Sequence, residues 1–213
     1  MRFGRKAAPG DVGEPDQVSA NGPTDTPGPH DDADVDLEGQ EFIDLGSLLI
    51  TPAGEMEMRL SVDEASGEVL AAVLVNEAGA LELRAFAASR NEGSWDDLRP
   101  QIVAETVRLG GTATEQEGPF GPELLCLVPV QTPEGEPATQ ASRVMAHQGP
   151  RWLLRATVMG QPAVEPALAG PWEETVRNTV VRRGRDAMPP GTPLPLHLPA
   201  QARRVDGPAP TDD

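Results

Sequence analysis

The sequence predicts an α+β domain: an antiparallel sheet of about six strands with two helices packed mainly on one face, in the order βββαβββα. Three observations predict it. Segments with the two-residue alternation of strands follow one another across short Gly-containing turns. Two longer segments have the 3.6-residue spacing and end signals of helices. The strands come in groups rather than alternating one by one with helices, which favours an antiparallel sheet over a parallel one.

The clearest strand is Arg151–Met159, preceded by the turn Gly149-Pro150 and ended by Gly160. Trp152, Leu154, Ala156 and Val158 share one face and Arg151, Leu153, Arg155, Thr157 and Met159 the other, because side chains alternate along a strand. Ahead of it, Phe42, Ile43, Leu45, Leu48, Leu49 and Ile50 form the first apolar cluster, so order is expected to begin near Glu41. Met56–Val62 alternates, Val69–Val75 is apolar on both faces and hence central, and Leu81–Ala87 makes a third strand. The turns Glu64–Gly67 and Glu77–Gly79 make these three an antiparallel meander.

The first helix follows. Ser94 is its cap, with Asp97 three residues on in the position of a capping-box acid. Trp95, Leu98, Ile102 and Leu109 lie along one stripe, and Gly110-Gly111 ends it. Pro100 predicts a frayed or bent start, since a proline inside a helix removes a backbone bond and crowds the preceding turn. Glu123–Gln131 and Gln140–Ala146 supply two more strands. A second helix is expected from Pro171, with Gly170 as cap, Glu173 and Glu174 in the first turn and Arg182 and Arg183 in the last, before Gly184. Trp172, Val176, Thr179 and Val180 would be its buried side. The Pro-rich end, Met188–Pro199, reads as an extended strap lying along the domain, with Leu194, Leu196 and Leu198 at alternate positions.

Domain organisation follows from composition. Residues 1–40 hold many Gly, Pro, Asp and Glu and almost no large apolar side chains, so burial there cannot offset the roughly 1–2 kcal/mol per residue of backbone ordering. They are read as a disordered acidic arm, 41–200 as one α+β domain, and 201–213 as a disordered tail.

Charge and residue usage exclude several functions. A net charge of −17 disfavours nucleic acid or an acidic membrane as partner, because phosphate contact needs clustered cations. No stretch approaches the roughly 18–20 apolar residues of a bilayer span, and the basic start Met1–Lys6 is followed by no apolar segment of a leader, so a cytoplasmic location is expected. Cys126 is the sole cysteine, which rules out an intramolecular disulfide and a thiolate metal cluster. It sits in Leu124-Leu125-Cys126-Leu127-Val128, where a thiol behaves as a small buried hydrophobe rather than as a nucleophile partnered by His147 and Glu123. His30, His147 and His197 share no metal-ligand spacing, and Gly118-Pro-Phe-Gly121 lacks the Lys-Ser/Thr of a phosphate loop, so no catalytic, cofactor or metal residue is assigned. The tryptophans Trp95, Trp152 and Trp172 sit at core periodicities.

What remains is a concentration of arginine around the clearest strand. Arg151, Arg155, Arg182 and Arg183 are the candidate interaction surface, suited to an acidic peptide or a phosphate-bearing ligand; the bland alternative is that they pair with this chain's own acids.

Several spaced motifs carry a resemblance. Ile43–Leu48, Phe86-Ala87-Ala88, Gly118–Leu124, Gly149–Arg155 and Leu194-Pro195-Leu196, over roughly residues 41–199, resemble an actinobacterial family known as domain of unknown function 3710. The resemblance implies a soluble cytoplasmic protein and brings no catalytic residues to carry over. The order of elements is also similar to small secretion-chaperone folds, an analogy of fold alone. The expected function is therefore a non-enzymatic protein-interaction module, adaptor or chaperone-like, with protein partners and a homodimer left open. The alternative is a small-ligand binder or enzyme using the Arg151/Arg155 face.

Overall fold

The computed structural model describes residues 28–89 and 94–199. Residues 1–27 of the expected acidic arm and the expected tail at 201–213 lie outside the described residues.

The chain runs through β1 (His30–Asp31), β2 (Ile43–Asp44), β3 (Leu48–Ile50), β4 (Glu57–Val62), β5 (Val69–Asn76), β6 (Gly79–Ala87), α1 (Trp95–Arg108), β7 (Thr112–Gly118), β8 (Gly121–Gln131), β9 (Pro137–Gln148), β10 (Trp152–Gly160), a single 3₁₀ turn (Gln161–Ala163), α2 (Pro166–Arg177) and β11 (Val180–Val181). Seven strands form one antiparallel sheet in the order β4-β5-β6-β10-β9-β8-β7. The class is as the sequence predicts, and β10, the clearest strand in the sequence, is the middle one of the seven. β4–β6 and β7–β10 are two meanders, and β10 joins them by pairing with β9 on one side and β6 on the other. A second, small sheet has the order β1-β11-β3-β2, in which β1 and β11 run parallel.

The two faces of the large sheet bury different cores. Leu81, Leu83, Ala85, Met145, Trp152 and Leu154 face α2, the small sheet and the C-terminal strap, packing with Trp172, Val176, Leu45 and Leu194. Leu124, Cys126, Val144, Ala146 and Leu153 face Trp95, Leu98, Ile102 and Val103 of α1. The helices therefore lie on opposite faces, not mainly on one. β8, β9 and β10 bury side chains of both parities, and such a sheet must be covered twice.

Four further differences have identifiable causes. Ordered structure starts before Glu41: His30 and Asp31 pair with β11, and Trp152 Nε1–H donates to Asp31 Oδ2 at 2.6 Å. α2 begins at Pro166, five residues before Pro171, because Pro166 fills the first helical position, where a missing N–H costs nothing. It stops at Arg177, leaving β-branched Val180 and Val181 to form β11; Arg182 and Arg183 thus follow a strand, not a helix. β7, Thr-Ala-Thr-Glu-Gln-Glu-Gly, has no alternation to read, yet it pairs with β8 as an edge strand whose charged residues protect the edge. α1 starts cleanly at Trp95 despite Pro100. Its capping box is complete, and the Trp95 indole donates to the Pro122 carbonyl at 2.6 Å, fixing the first turn to β8.

The strap is extended, as expected. Gly191 donates to Ala87 O, Leu194 to Ala85 O and His197 to Leu45 O, so the strap lines the end of β6 that β5 does not reach. Leu194 and Leu196 are buried, whereas Leu198 is exposed.

Candidate interaction face

α1 covers the β7–β9 half of its sheet face. Among the described residues, no helix packs on the other half, over β5, β6 and β10. Val73, Val75, Phe86 and Met159 there are each partly exposed, although their strand neighbours of opposite parity are buried in the α2-side core.

Near the middle of this open half, Arg84 of β6 stands directly opposite Arg155 of β10. Like charges directly opposite are unfavourable, and two neighbours moderate the repulsion. Arg155 Nη2 donates to Glu82 Oε1 at 2.9 Å. Both guanidinium groups lie against the Phe86 ring, Arg84 at 5.5 Å and Arg155 at 5.7 Å from its centre, within cation–π range. Arg84 has no hydrogen bond or ion pair among the described residues, and its Nε is buried without a partner. Burial first, and the Arg155 charge second, push the Arg84 pKa below its usual value, with Glu82 opposing. The cross-strand row through the pair is otherwise small: Arg155 is flanked by Ala146, and Ala71 is buried one residue from the Ala72–Leu83 pair.

The four arginines singled out in the sequence do not share one surface. Arg155 is on the open half-face. Arg151 donates to Gly184 O at 2.9 Å, while Arg183 donates from Nε to Arg151 O at 3.2 Å and from Nη1 to Asp186 O at 3.1 Å; these two pin the segment after β11 to the turn before β10. Arg182 lies at the small sheet, donating to Asp44 Oδ2 and Gly46 O at 3.1 Å each, with Asp32 at 3.7 Å. Arg84 was not among them. Its signal was present, since Glu82, Arg84 and Phe86 alternate with Leu81, Leu83 and Ala85, but its meeting with Arg155 depends on β6 pairing with β10 across 70 residues of chain.

The remaining chemistry is structural. Cys126 is buried beneath α1, while Glu123 and His147 point to the other face of the sheet, so strand parity separates the thiol from both. Glu123 instead belongs to a buried network: Arg143 Nη2 donates to Glu173 of α2 at 2.6 Å, Arg143 Nη1 lies 3.6 Å from Glu123, and Gln116 Nε2 donates to Glu123 Oε1 at 2.9 Å. His147 packs its ring 5.9 Å from Trp152, and burial, then the charge of His30, lowers its pKa. A cleft of about 520 Å³ lies between the start of α1 and the β9–β10 turn, lined by Ser94, Trp95, Phe120 and His147 among others. Among the described residues no group of three or more His, Cys, Asp or Glu is placed to hold a metal ion, and no helix is long and apolar enough to cross a membrane.

No curated protein and no solved structure matches the chain. A family model does: the family described as protein of unknown function (DUF3710) matches residues 28–205, from just before β1 to beyond the strap. That span includes both sheets, both helices and the open half-face, and the chain belongs to this family.

Proposed function

We propose that this chain is a non-enzymatic protein-interaction module, an adaptor or chaperone-like binder, that holds an extended acidic segment of a partner on the open half of the large sheet. The observation that carries this reading is the half-face itself: partly exposed Val73, Val75, Phe86 and Met159 beside two facing arginines, of which Arg155 pairs with Glu82. On a chain of net charge −17, a local cation surplus complements an acidic partner and opposes association with like surfaces of the same chain. Alternating side chains of an extended segment match the two-residue period of the exposed sheet side chains.

The test is an NMR titration of the isotope-labelled full-length chain with two short extended peptides of alternating apolar residues, one bearing acidic and one bearing basic residues between them. The acidic peptide should shift resonances of β5, β6 and β10 and leave those of α2 and the small sheet in place. Equal binding of the basic peptide, or shifts confined to another surface, would refute the reading.

A second reading, a small-ligand binder, is favoured by the aromatic-lined cleft beside Trp95 and His147. Its expected signature is a ligand-induced change in the resonances of those two residues without change at Arg84.

A further inference from the structure

We infer that Arg84 is the anchor of this surface, a seat for one carboxylate of an Asp or Glu side chain, with Phe86 as the platform beneath it and Glu82 as the internal anion that tunes it. The inference rests on the interaction-module reading and names its recognition element.

Three observations place the anion at Arg84 rather than at the other arginines. Arg151, Arg182 and Arg183 each donate to backbone carbonyls within the fold, so their guanidinium groups are used in holding segments together. Arg155 is engaged by Glu82. Arg84 alone of these five has neither a hydrogen bond nor an ion pair among the described residues, yet it is held in place by the Phe86 ring. A guanidinium so positioned has lost rotamer freedom before any ligand arrives, which lowers the cost of binding. Its fork matches a carboxylate bidentately.

Charge sets the class of anion. Arg84 and Arg155 bring two positive charges and Glu82 one negative, which leaves a surplus of one. A carboxylate neutralises that surplus, whereas a phosphate monoester carries about −1.5 to −2 at neutral pH and would leave Glu82 facing excess negative charge. The repulsion from Arg155, the second cause of the lowered Arg84 pKa after burial, is offset by the same single anion.

Glu82 makes the inference testable by gain as well as loss. It competes with the ligand for the pair, so Glu82→Gln should tighten binding, a result that damage to the fold does not produce. The probe is a fluorescein-labelled peptide of alternating valine and serine with one central Glu, together with its central-Gln and central-phosphoserine counterparts, each measured against the full-length chain by anisotropy and by the Arg84 side-chain Nε–H resonance. Expected are a loss of roughly tenfold for Arg84→Ala and for the Gln peptide, corresponding to one charge-assisted hydrogen-bonded pair. Arg84→Lys should recover part of the loss, and Glu82→Gln should bind the Glu peptide several-fold more tightly. The Arg84 Nε–H resonance should move on addition of the Glu peptide and stay in place with the Gln peptide.

Binding of the Glu peptide that is indifferent to Arg84→Ala and to Glu82→Gln would overturn the seat while leaving the interaction surface standing. Absence of binding by every peptide would overturn both. Tighter binding of the phosphoserine peptide than of the Glu peptide would overturn the carboxylate assignment. An Arg84 resonance already protected in the free protein and unmoved by peptide would assign the seat to acidic residues of the chain itself, and would overturn a partner's carboxylate as its occupant.

Discussion

Trp152 offers the sharpest test of how the two sheets are joined. It is fully buried in the α2-side core, and its indole N–H reaches Asp31 Oδ2 of β1 at 2.6 Å, so one side chain ties the first described strand to the middle of the large sheet. Replacing it with alanine removes the ring and leaves a cavity, a change that costs about 3–5 kcal/mol in well-packed cores. The lost bond to Asp31 adds to this, at the low end of the ~1.5–3 kcal/mol typical for a charged acceptor, because Asp31 is partly exposed. Trp152→Ala should therefore lose about 5 kcal/mol. At ~2–4 °C per kcal/mol for a chain of this size, its melting temperature should fall by about 10–20 °C. Trp152→Phe keeps most of the ring and loses the donor, for about 2 kcal/mol. Asp31→Ala leaves the indole N–H buried without a partner, at about 1–3 kcal/mol. In urea denaturation followed by circular dichroism, the double variant should lose about 1–2 kcal/mol less than the sum of the single losses. Additivity within ~0.5 kcal/mol would show that the bond contributes nothing. A fall of less than about 3 °C for Trp152→Ala would refute the packing argument itself.

Three further outcomes follow from other parts of the fold. Arg143→Ala strands Glu123, at 1 % side-chain exposure, and Glu173 without their shared cation; urea denaturation should show a loss of about 3–5 kcal/mol, far more than the ~1 kcal/mol or less expected for the partly exposed pair removed by Arg155→Ala. Cys126 should react slowly with a thiol reagent in the native state and rapidly in denaturant, with Cys126→Ala costing about 1 kcal/mol for the small volume removed beneath α1. His147 has a folded-state pKa depressed by burial and then by His30, so the unfolded chain takes up the proton first. Its contribution is complete above the unfolded value of 6.5 and is lost as pH falls from there through the lower folded value. As pH falls below about 6.5, the melting temperature of the wild type should drop more steeply than that of His147→Gln; parallel slopes would refute this assignment.

The sequence by itself determined those elements whose signal is local. Alternation located β4, β5, β6, β8 and β10, the Ser94–Asp97 box located α1, and the apolar run around Cys126 placed that thiol in the core, because pleat, helical pitch and capping act over a few residues. Alternation even put Arg155 on the face opposite Trp152. Signals failed where local rules allowed two answers or were silent: Pro166 and Pro171 are both acceptable helix starts, and edge strand β7 needs no apolar face of its own. Only the tertiary structure decided what lies beside what. Burying both faces of the large sheet sends the two helices to opposite sides, which leaves one half-face without a helix among the described residues. The pairing of β10 with β6 sets Arg84 against Arg155 over Phe86, while partners distant in sequence draw Arg151, Arg182 and Arg183 away. Which arginine is left without a hydrogen bond or ion pair among the described residues is a property of contacts made across the chain, and no short stretch of sequence contains them.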